Sequence, residues 1–505
     1  MLRRQSALVT PGALWPIVAI VLLGLFVGKF VTVSPGSLPI LALAAVVMFF
    51  LAFFKPSIAL VVMVFAMLLS PEAVIGSVPK HDIVIRIEDF LIVVMGAAWI
   101  ARGAVSKGFD VIPRTPVNMW IGFYCVCIVV STSQGIITSG VNPLKASFYI
   151  LKELEYYILF FIVVGSTYKA SHYRMYLTAF FLTFMAVNLF AFSQIGHVQR
   201  VSAPFEGPRG EPNTLGAYLL LMMCIALGLF CHLRSRILRW AVLFSMIAGL
   251  LPFLYTLSRS SYLAIVPAYL ALIFYSRSSR RGYLVMGFLA AVALGLLFLP
   301  EHVKDRLLYT FLARPQANIK PVEFLGLKLD PSASSRWWDW VAAVQYWIKQ
   351  PFFGYGVTAK AFMDSQYLNN LVEKGAVGFL SFAFLIGGLQ RNALRIYRTG
   401  RDELTRGLAL GFLAGNIGML VHAMTANTFI LIRVMEPYWF LSALVLSAPR
   451  VLEAKPAAAP ARGNALPQEK DSRRESGEEK TFWRRNISYL LRNGPGSPKG
   501  GTDAT

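Results

Sequence analysis

Apolar stretches of about 17 to 25 residues recur from one end of the chain to the other, separated by short polar segments. Each has the length of a helix that crosses a bilayer. Helices are required, because backbone amides in hydrocarbon must be satisfied within the segment. The runs begin near residues 13, 38, 57, 89, 118, 147, 174, 214, 238, 261, 282, 375, 407 and 431, about fourteen in all. Lys55-Pro56 alone divides the second from the third. The pattern predicts an all-α polytopic membrane protein with about 12–14 transmembrane helices and one large loop containing amphipathic helices. The first run, roughly Ala13 to Val33, follows Arg3 and Arg4 as in a signal peptide. Its core is too long and no small-residue cleavage site follows, so it reads as a retained span. Two regions are not membrane: the loop Leu299–Gln366 and the tail after Pro449. The tail, rich in Ala, Pro, Gly and mixed charge, reads as disordered. Within it, Thr481–Arg492 is either a short amphipathic helix on the inner leaflet or unstructured.

Composition supports this reading. Of 505 residues, 56% are hydrophobic and 15% charged, with a mean hydropathy of +0.58; soluble domains carry about 25% charged residues. The net charge is +22, from 48 Lys+Arg against 26 Asp+Glu. In a soluble chain such an excess would suggest nucleic acid; here it sits in alternate short loops and sets topology. One set holds Lys55; Arg102, Lys107 and Arg114; Lys169 and Arg174; Arg234, Arg236 and Arg239; Arg277, Arg280 and Arg281; and Arg391 to Arg406. The intervening loops are poor, with Lys80, Arg86, Lys145, Arg200, Arg209, Arg259 and Arg433. The positive-inside rule places the first set and both termini in the cytoplasm, and the long loop outside. The four cysteines, Cys125, Cys127, Cys224 and Cys231, lie in or beside apolar runs with no zinc or disulfide spacing, and read as packing residues.

Polar residues that topology does not explain gather on the outer side in four places. The first is RVSAPFEGPRGEPNTLGAYL, Arg200 to Leu219, with two arginines, two glutamates and Asn213 where a helix begins. An arginine fork suits phosphate oxygens and a helix N-terminus favours an anion; the plain alternative is an outer loop with a capped helix start. The second is Leu257-Ser258-Arg259-Ser260-Ser261, between two apolar runs. An arginine inside a span costs about 2.5–3.5 kcal/mol on insertion scales, so Arg259 faces a polar cavity or snorkels. The third is Ser334-Ser335-Arg336-Trp337-Trp338-Asp339-Trp340, continuing to Trp347 and the turn Pro351-Phe352-Phe353-Gly354-Tyr355-Gly356. Trp337, Val341, Val344 and Ile348 share a helical face, as in a helix lying on the membrane. Its tryptophans are interfacial anchors or sugar-stacking platforms. The fourth is Asp364-Ser365-Gln366-Tyr367-Leu368-Asn369-Asn370, running into Glu373, Gly375 and Gly378. The two glycines allow close helix packing, and Asp364 is a helix cap or a base in an outward cavity.

Other polar residues weigh less. His422, Asn416 and Asn427 read as satisfied packing positions, His302 as an exposed alternative base, and Lys152 with Glu155 as a structural i, i+3 pair beside Glu153. No P-loop, dinucleotide fingerprint, HExxH or G-x-S-x-G motif is present. No Asp-x-Asp pair offers a metal-held nucleotide-sugar site, so no metal and no cofactor are expected.

In order, the four places resemble the O-antigen ligase and polymerase superfamily of bacterial inner-membrane proteins, over roughly Lys152 to Val434. The family's outer-loop arginine with a later Pro-Asn is similar to Arg200 and Pro212-Asn213; its Ser-Arg to Ser258-Arg259. Its loop arginine and tryptophan ahead of a Pro-x-x-Gly-x-Gly turn look like Arg336, Trp340, Pro351, Gly354 and Gly356. Its His-(Asn/Ser)-x9-Gly-x-x-Gly motif is similar to Asp364-Ser365 followed by Gly375 and Gly378, with aspartate where ligases carry histidine. That departure tilts the reading towards a polymerase or another relative. The resemblance divides the chain into N-terminal helices (1–146), a ligase-like core including the loop (147–448) and a basic cytoplasmic tail (449–505). It implies transfer of a glycan from undecaprenyl pyrophosphate to a glycan, lipid A–core or protein acceptor, at the periplasmic face of the inner membrane. Catalytic roles then fall to Asp364, Arg259 and Arg336, and substrate binding to Arg200, Arg209, Asn213, Trp340 and Gln366. Membrane lipids are partners and nucleic acid is not. A flippase or secondary transporter of lipid-linked saccharides is the alternative; it would more often show internal repeats, and none is visible. A non-catalytic scaffold leaves arginines on the outer side unexplained.

Overall fold

The computed structural model describes residues 38–78, 81–106, 110–206, 210–298, 301, 303–305, 322–324, 327–360 and 363–453. Among them, every expected span after the first is helical; the run near residue 13, and the tail with Thr481–Arg492, lie outside the described residues. These helices are α1 (Leu38–Phe54), α2 (Pro56–Leu69), α3 (Ile87–Val105), α4 (Asn118–Thr138), α5 (Pro143–Ser166), α6 (Ala170–Gln194) and α7 (Pro212–His232). They continue as α8 (Arg236–Tyr255), α9 (Arg259–Tyr275) and α10 (Arg281–Phe298), then α11 (Pro331–Lys349), α12 (Gln366–Thr399), α13 (Glu403–His422) and α14 (Ile432–Leu452). Six of them, α4, α6, α7, α8, α12 and α13, are long and apolar enough to cross a membrane. The protein is an all-α polytopic membrane protein. Two short antiparallel hairpins, β1 (Glu72–Val78) with β2 (His81–Arg86) and β3 (Glu323–Phe324) with β4 (Leu327–Lys328), decorate its connections and were not expected.

Helix starts follow local chemistry. Proline stands in the first turn of α2, α5, α7 and α11, where its missing N–H costs nothing. Asn142, Ser258, Asp330 and Asp402 accept hydrogen bonds from first-turn amides. Helix α7 is apolar all round and its membrane-length window is wholly buried, as a central helix should be. Helix α13 runs along it through glycines: a methyl group on Gly228 would strike the backbone of Gly407 and Gly411, the small-residue contact that lets membrane helices approach closely. Around this pair, α12 packs on α4, α14 on α5, α1 on α3 and α2 on α6. Outward faces expose Phe50, Phe244, Leu263, Phe274 and Leu297, a surface for hydrocarbon rather than water.

The charge alternation is also an alternation of ends. At one end Arg280 donates to the carbonyls of Phe230, Cys231 and Leu233 at 3.1, 2.9 and 3.0 Å. There Glu403 accepts from the Arg234 amide and Glu453 from that of Arg401. At the other, Arg433 reaches back to the carbonyls of Leu68, Ser70, Pro204 and Phe205. Arginine-rich connections and arginine-poor connections therefore gather at opposite ends.

Candidate functional site

The first turn of α9 joins the elements of the arginine-poor end. Ser258 caps α9 and donates from Oγ to Asn213 Oδ1 at 2.8 Å. The same amide oxygen accepts Arg200 Nη2 at 3.3 Å, while Arg200 Nε donates to the Thr256 carbonyl at 2.9 Å. Between them Leu257 takes φ 48°, an uncommon conformation for a branched residue that turns the chain sharply from α8 into α9. Arg259 Nη1 lies 2.6 Å from Asp330 Oδ2. Asp330 is buried, and its Oδ1 caps α11 by accepting from the Ala333 amide at 2.7 Å. One carboxylate thus starts the amphipathic helix and holds an arginine of the bundle. Asp330 was missed in the sequence; an aspartate before a proline that opens a helix is the available signal.

Helix α11 then carries Arg336 to Asp364, with Nε and Oδ2 4.0 Å apart and the aspartate side chain 63% exposed. The cap position of α12 belongs to Ser365, so Asp364 is not the cap. Trp337, Trp338 and Trp340 are half-exposed, as are Val344 and Ile348, while Ala343 packs inward with Tyr355, Met363, Leu368 and Val372. The expected apolar face of α11 is therefore outward. Gln366 is buried: its Oε1 accepts from the Phe429 amide at 3.1 Å and its backbone N–H donates to the carbonyls of Ala423 and Ala426. The turn after α13 is thereby tied to α12, and Thr425 ties it to Ser260 of α9 at 2.7 Å. Asn416 and Asn427 are satisfied packing residues, bonded to Gln390 and Tyr438 and to Met363 and Asn369 respectively. His422 is fully buried with Nδ1 2.7 Å from Thr428 Oγ1; its Nε2 has no hydrogen-bond partner among the described residues. Arg209 and His302 lie outside the described residues.

The Pro351–Gly356 turn and the glycines of α12 form one joint. At Gly375, φ 64° and ψ −169° interrupt the helix. The carbonyls this frees, on Val372 and Glu373, accept from the Tyr355 and Gly356 amides at 3.0 and 2.8 Å. The freed amides of Ala376 and Val377 donate to Pro351 and Phe352 at 2.8 and 3.1 Å. A side chain at 375 would both adopt a left-handed backbone and strike the Phe352 carbonyl. The spacing of these glycines serves a helix break rather than helix–helix contact. Ser131 of α4 supports the joint by donating to the Glu373 carbonyl at 2.5 Å.

Below lies a second group of charges. Lys374 Nζ sits 3.1 Å from both oxygens of Glu153, 2.8 Å from Tyr124 OH and 3.2 Å from Asn370 Oδ1. Lys152 does pair with Glu155 at 3.7 Å, and also contacts Asp89 of α3. Arg433, expected as an outer-loop charge, instead turns inward and is 1% exposed. Glu206, beside it in the loop before α7, accepts from the Ala203 and Glu211 amides through Oε2 at 3.1 and 2.8 Å. Burial pushes its carboxyl up to about 8, against the opposing charge of Arg433.

A family model described as O-Antigen ligase matches residues 244–383. The matched stretch begins within α8, ends within α12, and contains Arg259, Asp330, Arg336, Asp364 and the Gly375 joint; Arg200 and Asn213 precede it. The chain is thus a multi-pass membrane protein with a stretch similar to the O-antigen ligase family, consistent with the O-antigen ligase superfamily. No curated protein matches it.

Proposed function

We propose that the protein transfers or polymerises a glycan carried on undecaprenyl pyrophosphate, at the periplasmic face of a bacterial inner membrane with both termini in the cytoplasm. The observation that carries this reading is the convergence of three arginines at the arginine-poor end: Arg200 and Arg259 on either side of Ser258, and Arg336 on the helix that Arg259's partner Asp330 caps. The leaving group is a diphosphate, which needs charge stabilisation more than it needs a proton, and planar guanidinium forks match its oxygens. The acceptor hydroxyl attacks the anomeric carbon as the bond to the diphosphate breaks. Its proton passes to Asp364, which faces solvent beside Arg336. A single displacement inverts the anomeric centre. Asn213 holds Arg200 in place, Gln366 sets the start of α12 behind Asp364, and the half-exposed Trp340 offers a face to the acceptor.

Turnover by arginines in this way requires no divalent ion. Purified protein, given the lipid-linked donor and an acceptor, should form product at an undiminished rate in EDTA. Loss of activity in EDTA with recovery on adding a divalent ion overturns the arginine mechanism.

A further inference from the structure

Residues 198–206 and the end of α6 border a half-open cavity of about 690 Å³ lined by Phe190, Gln194, Gln199, Arg200, Phe205 and Glu206. Its size falls among small-molecule sites, about 300–1,000 Å³. One wall is Arg200, the residue that reaches Asn213 and Thr256. The lining also holds Glu206, whose Oε1 is buried and has no hydrogen-bond partner among the described residues. Gln194 is committed to structure: its amide bonds both the N–H and the C=O of Ser202 at 3.0 Å, as a neighbouring strand would. Phe205 takes φ 61° with its ring half-exposed, a strain worth about 1–3 kcal/mol that surrounding structure must hold. Arg433 holds it, donating to the carbonyls of Pro204 and Phe205 at 2.7 and 3.3 Å.

A pyranose presents apolar C–H faces and a rim of hydroxyls. It needs aromatic surfaces and a few fixed polar groups, which is the composition of this cavity. We propose that the cavity is a saccharide subsite that receives the sugar residues adjoining the diphosphate of the lipid-linked donor, with Phe190 and Phe205 as faces and Gln199 and Glu206 as hydroxyl partners. The inference rests on the function proposed above and adds to it a place where the donor glycan is read. A prenyl chain would leave the polar groups of Gln199, Arg200 and Glu206 unmatched, and a bare diphosphate leaves Glu206 unfilled. With its carboxyl pushed up to about 8, Glu206 carries a proton at neutral pH and donates to a sugar oxygen.

The test is binding to the full chain in detergent, with undecaprenyl pyrophosphate and an undecaprenyl-pyrophosphate-linked oligosaccharide as probes. Wild type should bind the glycosylated carrier about tenfold more tightly than the bare one. Glu206→Ala, and separately Gln199→Ala and Phe190→Ala, should collapse that preference while leaving affinity for the bare carrier unchanged. Gln199 and Phe190 are exposed and bear no fold contacts of the kind Glu206 makes, so they remain informative if Glu206→Ala fails to fold. Equal wild-type affinity for both probes, or a preference that survives all three variants, overturns the subsite and leaves the donor reading standing. If wild type binds neither probe, the donor reading itself fails.

Discussion

Two groups of charged residues share the arginine-poor half of the bundle, and they are built in opposite ways. In the buried group each cation is consumed by several acceptors. Arg433 serves four backbone carbonyls from two separate segments, and Lys374 serves Glu153, Tyr124 and Asn370. In the site group, Arg259 faces Asp330 and Arg336 lies 4.0 Å from Asp364. Exposure separates them as well, 1% for the Lys374 side chain against 23% for that of Arg336. Charges in the first group hold helices together, while those in the second are the ones we propose meet substrate. A buried cation surrounded by acceptors is costly to disturb, whereas a partly exposed ion pair contributes little to stability.

The comparison breaks most easily at Arg433. Arg433→Met keeps the bulk but strands the carbonyls of Leu68, Ser70, Pro204 and Phe205, and it removes a positive charge that acts on Glu206. Removing one partner from a buried ionic network costs about 3–5 kcal/mol. We expect a large drop in the heat-denaturation midpoint in detergent, or failure to accumulate. A variant that is well folded but inactive would move Arg433 into the site group. At Asp364 the opposite separation is expected. Asp364→Asn should fold and bind donor normally yet lose transfer by about 10²–10⁴-fold, the range for a positioned proton acceptor. Measurable transfer at wild-type rate by the asparagine variant ends the assignment. Asp364→His should retain activity, since histidine is the residue of the resembled ligases at this position.

Smaller effects follow at the three arginines. Lysine keeps the charge and loses the planar fork, so Arg200→Lys, Arg259→Lys and Arg336→Lys should each remove about 2 kcal/mol or more of transition-state stabilisation with the melting midpoint nearly unchanged. Steady-state transfer rates beside melting curves would read both quantities. Normal rates in all three variants would make the arginines topological or structural, and the two groups would then differ in burial alone.

Sequence reading was strong where physics is local or cumulative. The apolar runs and the outward face of α11 depend on neighbouring residues and on hydrophobicity summed over a window. Convergence was legible in part: Arg200, Asn213 and Ser258 do meet, while Arg259, next in the chain, reaches Asp330 instead. What escaped depended on distant partners. A charge count places Arg433 in an outer loop but cannot say that its side chain turns back to carbonyls near residue 70. The glycine at 375 has the right spacing for close packing, and its φ of 64° becomes intelligible only with the Pro351–Gly356 turn beside it. Asp330 needed a partner 71 residues away to reveal its second role. Gln366, read as a substrate ligand, is occupied by the 422–430 segment in a contact no local pattern encodes.

Glu206 stands between the two groups and gives the smallest test. It shares the buried environment of Arg433, yet lines the cavity beside Arg200. Burial raises its carboxyl from 4.5 to about 8. The folded protein therefore binds this proton between those values while the unfolded chain has released it. The stability this contributes is fully present below the unfolded value and is lost as pH rises through about 8. Glu206→Gln fixes the group in a neutral form that still accepts from the Ala203 and Glu211 amides. Its melting midpoint should accordingly fall less steeply than that of wild type as pH rises from 5 to about 8. Parallel profiles would mean that Glu206 is already ionised in the fold and neutralised by Arg433, which would place it wholly with the structural charges and remove the proton it is proposed to offer a sugar.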